Sequence, residues 1–154
     1  MNYHKYYNID VVNGPGTRCS LFVAGCIHQC KGCYNKSTWN INSGFLFTPE
    51  IEDKIIADLN DTHIKRQGLS LSGGDPLHPD NCESILHLVK RVKKECKGKD
   101  IWLWTGYCFN ELNTCQKKII EYIDVIIDGK FEQEQKDSKL LWRGSANQRI
   151  IYLN

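Results

Sequence analysis

The 154 residues, 41% hydrophobic and 25% charged, make about one domain at roughly 150 residues each, enough to bury a core without covalent staples. This composition excludes disordered, collagenous and low-complexity chains, and no apolar run approaches the roughly 18 residues a membrane-spanning helix needs. Twenty basic against eighteen acidic residues leave a formal charge of +2, too little to argue for nucleic acid or a membrane surface.

Met1 to Asp10 is polar and aromatic with no apolar signal-peptide core, so a cytoplasmic protein is expected. Arg18 to Gly25 is a short apolar run bounded by glycine and is predicted to be the first strand. Thr48-Pro49 opens a predicted helix through about Leu59, with Thr48 as N-cap, Pro49 at the first helical position and Ile51, Ile55, Ile56 and Leu59 on one face. Leu69 to Ser72 reads as a second strand, Asp80 to Lys97 as a second helix and Ile101 to Thr105 as a third strand. Asn110 to Ile123 reads as a third helix, Val125 to Ile127 as a fourth strand, and Arg149 to Leu153 as a last one. Alternation of this kind predicts an α/β fold with a parallel sheet in one continuous domain. Ligands in such folds sit beyond the carboxyl ends of strands, which singles out the loops after Gly25, Ser72, Thr105 and Ile127. The strands are too few for a complete eight-stranded barrel.

The first of those loops carries Cys26-Ile27-His28-Gln29-Cys30-Lys31-Gly32-Cys33. Eight cysteines in a cytosolic chain point to metal or redox chemistry rather than a disulfide scaffold, and thiolates select zinc or iron–sulfur clusters over hard cations. Structural zinc sites and ferredoxin carriers use four protein ligands. This loop supplies three, and Cys82, Cys96, Cys108 and Cys115 are widely spaced. His28 is a conceivable fourth ligand, but it lies between two others in a tight loop. Three cysteines on a four-iron cluster would leave one iron open, the mark of a catalytic centre. Buried cysteines without metal are the plain alternative.

The Cys-x3-Cys-x2-Cys spacing resembles the signature of radical S-adenosylmethionine enzymes. With Asn13-Gly14-Pro15-Gly16-Thr17-Arg18, Phe22 and Gly25 before it and Tyr34-Asn35 after it, the stretch resembles the activases of glycyl-radical enzymes. The resemblance implies a short, incomplete parallel βα barrel over residues 1–154. It implies a [4Fe–4S] cluster on Cys26, Cys30 and Cys33, with S-adenosylmethionine chelating the open iron. Gly32 and Tyr34 flank the last ligand, where the family contacts adenine; Gly32 stands where many relatives have an aromatic residue. Ser72-Gly73-Gly74-Asp75-Pro76 reads first as a strand-ending turn. It also matches the family's Gly-Gly-Glu/Asp-Pro motif for the amino end of S-adenosylmethionine. On that match Gly73 and Gly74 are close-approach positions, and Asp75 orients the loop or bonds the ammonium. A side chain at Gly74 is then expected to weaken S-adenosylmethionine binding and to spare the iron.

Gly14-x-Gly16 lacks the context of a dinucleotide fingerprint, and no phosphate-loop motif is present. Lys90 to Lys94 reads as the wet face of the second helix. Thr105-Gly106-Tyr107 and Asp128-Gly129-Lys130-Phe131 lie at strand ends on the ligand side. Trp142-Arg143-Gly144-Ser145-Ala146-Asn147-Gln148 resembles a closing motif of the activase branch that serves the anaerobic (class III) ribonucleoside-triphosphate reductase. That branch implies the reductase as protein substrate, a reduced flavodoxin-like electron donor, and no acid or base among the catalytic parts. A small radical enzyme acting on a metabolite, and an iron–sulfur electron carrier, are the rival readings.

Overall fold

The computed structural model describes all residues from Met1 to Asn154. Seven strands form one open sheet: β1 (Asn2–Asp10), β2 (Arg18–Val23), β3 (Phe45–Leu46), β4 (Gly68–Gly73), β5 (Asp100–Trp104), β6 (Val125–Asp128) and β7 (Arg149–Tyr152), in the order β3-β1-β2-β4-β5-β6-β7. The centre, β2-β4-β5-β6, is parallel, as the alternating pattern predicts. The flanks are not: β1 and β3 on one side and β7 on the other run antiparallel. The all-parallel expectation is therefore corrected to a mixed sheet with a parallel centre, and its edges do not meet.

The helices are α1 (Pro49–Leu59), α2 (Cys82–Glu95) and α3 (Thr114–Ile120). In α1, Thr48 holds the N-cap position and Pro49 opens the helix, though the threonine side chain makes no capping bond. The second helix is shorter than its apolar period because Pro79–Asn81 forms a separate 3-10 turn before it. The third starts at Thr114 rather than Asn110. Asn113 and Gln116 make a reciprocal capping box, Oδ1 of Asn113 accepting from the Gln116 amide at 2.9 Å and Oε1 of Gln116 from the Asn113 amide at 2.8 Å.

Alternation along the central strands sends Cys19, Leu21, Val23, Leu69, Leu71, Ile101, Leu103 and Ile126 to the helices, within a core of 21 buried residues. Each fully buried leucine or isoleucine there stabilises the fold by about 1.5–3 kcal/mol. The opposite face holds a smaller cluster of Trp102, Val125 and Ile127, packed by Trp104, Trp142 and Ile150. Arg18, fully buried, stands over the Trp102 ring at 5.7 Å and bonds Ser70 Oγ, the Leu69 carbonyl and Asp100. It therefore ties the amino ends of β2, β4 and β5, the end of the sheet opposite the cysteine loop.

Candidate functional site

The site lies at the carboxyl ends of the parallel strands. After β2 the chain passes Gly25 into the cysteine loop, whose base is stitched down by Gly25 N to the Thr38 carbonyl at 2.6 Å and Cys26 N to the Trp39 carbonyl at 3.1 Å. A turn from Cys33 N to the Cys30 carbonyl, 3.2 Å, folds its tip. The loop after β4 is sewn to the same base, Gly74 N to the Val23 carbonyl and Asp75 N to the Gly25 carbonyl at 2.8 and 2.7 Å. These two glycines are required by backbone. Gly73 has φ +105°, and a Cβ there would lie 2.5 Å from Val23 N; a Cβ on Gly74 would lie 2.5 Å from Gly25 O.

Cys26, Cys30 and Cys33 are unbridged, half-buried and line one cleft that is open to solvent. Its other walls include Tyr34, Ser72, Gly73, Gly74, Trp104 and Gly106, with Phe131 and Gln148 on the far side. Burial pushes the Cys26 thiol up to about 11 against an amide hydrogen bond from His28. Burial also raises Cys30, against an amide bond from Phe131. The Cys33 sulfur accepts the Asn35 N–H at 3.3 Å. No three His, Cys, Asp or Glu side chains converge tightly enough for a single metal ion. The donor set is three soft sulfurs spread along one wall, each beside a backbone N–H. That arrangement suits a polynuclear iron–sulfur group, whose positive irons hold thiols as thiolates.

A family described as "4Fe-4S single cluster domain" matches residues 12–151. The "Anaerobic ribonucleoside-triphosphate reductase-activating protein" of Vibrio cholerae is 69% identical over 150 residues, 97% of each chain. The protein of that name in Escherichia coli K12 is 63% identical over 99% of each chain. Its namesake in Enterobacteria phage T4 is 52% identical over 97% of this chain and 93% of that one. The chain belongs to the family of anaerobic ribonucleoside-triphosphate reductase-activating proteins.

Within this family member, the motif residues take different places. Cys26, Cys30, Cys33, Tyr34, Gly73 and Gly74 share the cleft. Tyr34 is 79% exposed at the rim, with Lys136 Nζ 5.0 Å from its ring centre. Gly32 turns outward at φ +79°, backed by the Gln133 side chain, and is not among the lining residues. Asp75 is 1% exposed and its carboxylate is consumed inside the protein. Oδ1 accepts from Leu77 N at 2.9 Å and Thr105 Oγ1 at 2.8 Å, while Oδ2 faces Gly106 N at 3.0 Å and His28 Nε2 at 2.7 Å. Of the two roles expected for Asp75, these bonds serve loop orientation.

Sequence reasoning raised His28 as a conceivable fourth ligand and placed Thr105 on the ligand side. It missed their shared bonds to Asp75, whose signal is a pairing in space rather than a spacing in sequence. In the Trp142 to Gln148 stretch, Gly144 and Gln148 reach the cleft. Gln148 Oε1 accepts from Gly144 N, and its Nε2 donates to the Gly129 carbonyl at 3.0 Å. Arg143 and Asn147 brace the loop, donating to the Gln148 and Lys130 carbonyls. Among the remaining cysteines, Cys19, Cys82 and Cys96 are buried in the helical core, and neither Cys108 nor Cys115 lines the cleft.

Proposed function

We propose that the chain installs a glycyl radical on an anaerobic ribonucleoside-triphosphate reductase, with Cys26, Cys30 and Cys33 holding one [4Fe–4S] cluster and S-adenosylmethionine occupying the rest of the cleft. The observation that carries this reading is the meeting of three thiols from one loop with the Gly73-Gly74 backbone across one open cleft. When bound, the reduced cluster supplies the electron that breaks the sulfonium C–S bond, giving methionine and a 5′-deoxyadenosyl radical that takes a hydrogen atom from a glycine of the reductase. The chain's own residues bind, orient and exclude water. In this reading the Gly73 and Gly74 backbone would meet the amino-acid end and the ring of Tyr34 the adenine, while Asp75 keeps the loop in shape behind them. Gly32, outside the cleft lining, shapes the turn before Cys33.

On this reading residues 1–154 are one radical S-adenosylmethionine domain, and the open sheet is a short form of that family's incomplete barrel. Lys31, Lys36 and Lys130, exposed around the cysteine loop, suit an acidic one-electron donor of the reduced flavodoxin type. No helix is long and apolar enough to cross a membrane. The working place we assign is the cytoplasm, with neither nucleic acid nor membrane as partner. Anaerobic reconstitution with S-adenosylmethionine, reductant and the reductase should give a glycyl-radical electron spin resonance signal. Replacing Cys26, Cys30 or Cys33 by Ala should abolish cluster and signal together, whereas replacing Cys82, Cys96, Cys108 or Cys115 should leave both largely intact. Full iron content after loss of any of the three would overturn the ligand assignment.

A further inference from the structure

His28 sits between two of the three cysteines in the chain and lines the same cleft, with its Nε2 turned to a carboxylate. Its Nε2 meets Asp75 Oδ2 at 2.7 Å, with the two side chains only 5% and 1% exposed. Its ring stands edge-on to Tyr107, centroids 4.6 Å apart at 77°. The ring also occupies the space that a Cβ on Gly106 would need, so glycine at 106 is matched to histidine at 28. Asp75 in turn holds the Thr105 hydroxyl through both oxygens, at 2.8 and 3.0 Å, and the amides of Leu77 and Gly106. Three loops, from the ends of β2, β4 and β5, thus share one buried carboxylate. Only His28 connects a side chain of the thiol-bearing loop to it.

We propose that His28 is a positioning residue: through Asp75 it locks the cysteine loop to the Gly73-Gly74 loop, fixing the distance between the thiols and the backbone across the cleft. The inference rests on the reading of the cleft given above, because a fixed separation matters only when cluster and S-adenosylmethionine must touch. A buried hydrogen bond to a carboxylate is short and directional, which suits it to holding two loops in register. Reacting groups displaced by about 1 Å lose on the order of 100-fold in rate. A shell that supports metal ligands typically contributes roughly 10–100-fold to affinity or activity.

The test compares the reconstituted parent with H28A and H28Q. Glutamine can bring an amide N–H toward Asp75 much as Nε2 does; alanine cannot. Iron per chain is measured first, then the change in the electron spin resonance spectrum of the reduced cluster as S-adenosylmethionine is titrated. All three should carry a full complement of iron. H28A should need roughly 10–100-fold more S-adenosylmethionine to reach half the spectral change, while H28Q stays close to the parent. A purely structural role would lower iron content instead and leave the titration of the loaded fraction unmoved. An H28A titration that matches the parent, or iron loss in both variants, would overturn the proposal. A parent whose loaded cluster ignores S-adenosylmethionine would strike down the reading of the cleft itself.

Discussion

At Gly74 the absence of a side chain also serves the fold of the neighbouring loop. A Cβ on Gly74 would lie 2.5 Å from Gly25 O and 3.0 Å from Gly25 N. Gly25 immediately precedes Cys26, so a methyl group at 74 would push the base of the cysteine loop. Overpacking of this kind costs about 1–3 kcal/mol. Gly74→Ala should therefore lower the thermal midpoint and reduce iron content and S-adenosylmethionine affinity together. An iron assay that stays at the parental value while only cofactor affinity falls would restore the direct-contact view. The motif was visible in the sequence, but the surface it fits was not. Asp75 shows the same limit: its partners His28 and Thr105 lie 47 and 30 positions away, and no local pattern joins them.

Among the elements, the parallel strands were legible because they carry short apolar runs closed by glycine or by a helix signal. The amino-terminal strand was not. In β1 the pairing with β2 shifts between Tyr3 and Lys5 and again between Tyr7 and Asp10. Both Tyr3 and Tyr6 pack on the helical core, three positions apart. A bulge of this sort breaks the period of two on which strand recognition depends. β3 has only two residues and offers no period at all. The β1–β2 turn is held by Asp10, which accepts from Ser20 Oγ at 2.5 Å, Asn13 Nδ2 at 2.6 Å and Val12 N at 2.8 Å. Burial alone would raise its pKa, but bonds from Ser20, Asn13 and Val12 outweigh it and hold the carboxyl below its ordinary 3.8. A depressed carboxylate stabilises the fold above the unfolded value, and that stabilisation fades as pH falls through the folded one. Asp10→Asn should cost on the order of 1.5 kcal/mol at neutral pH. Its urea midpoint should also fall less steeply than the parent's on acidification below pH 3.8. Parallel pH profiles for the two proteins would remove Asp10 from the account.

Across the whole molecule, the helices cover one face of the sheet, while the cleft at its end opens to solvent. On the proposed reading, a primary carbon radical generated there would need a cover over the open side of the cleft. A docked reductase presenting its glycine would provide one, and would place the reacting hydrogen where the radical forms. Deuterium on that glycine's α-carbon should then appear in 5′-deoxyadenosine, and coupled cleavage of S-adenosylmethionine should depend on the reductase. Deuterium acquired only from a small metabolite would favour a different radical enzyme.

The carboxylate shared by three loops also bears on traffic through the cleft. The three loops that share this anchor are held to one another, so that side of the cleft is a single wall. In the proposed function, S-adenosylmethionine enters, and spent nucleoside leaves, by the open mouth that the partner protein would cover. Under the proposed reading, each round ends only when the two proteins part. The residence time of that complex, rather than the motion of any loop, would then limit how many reductases one activase can serve.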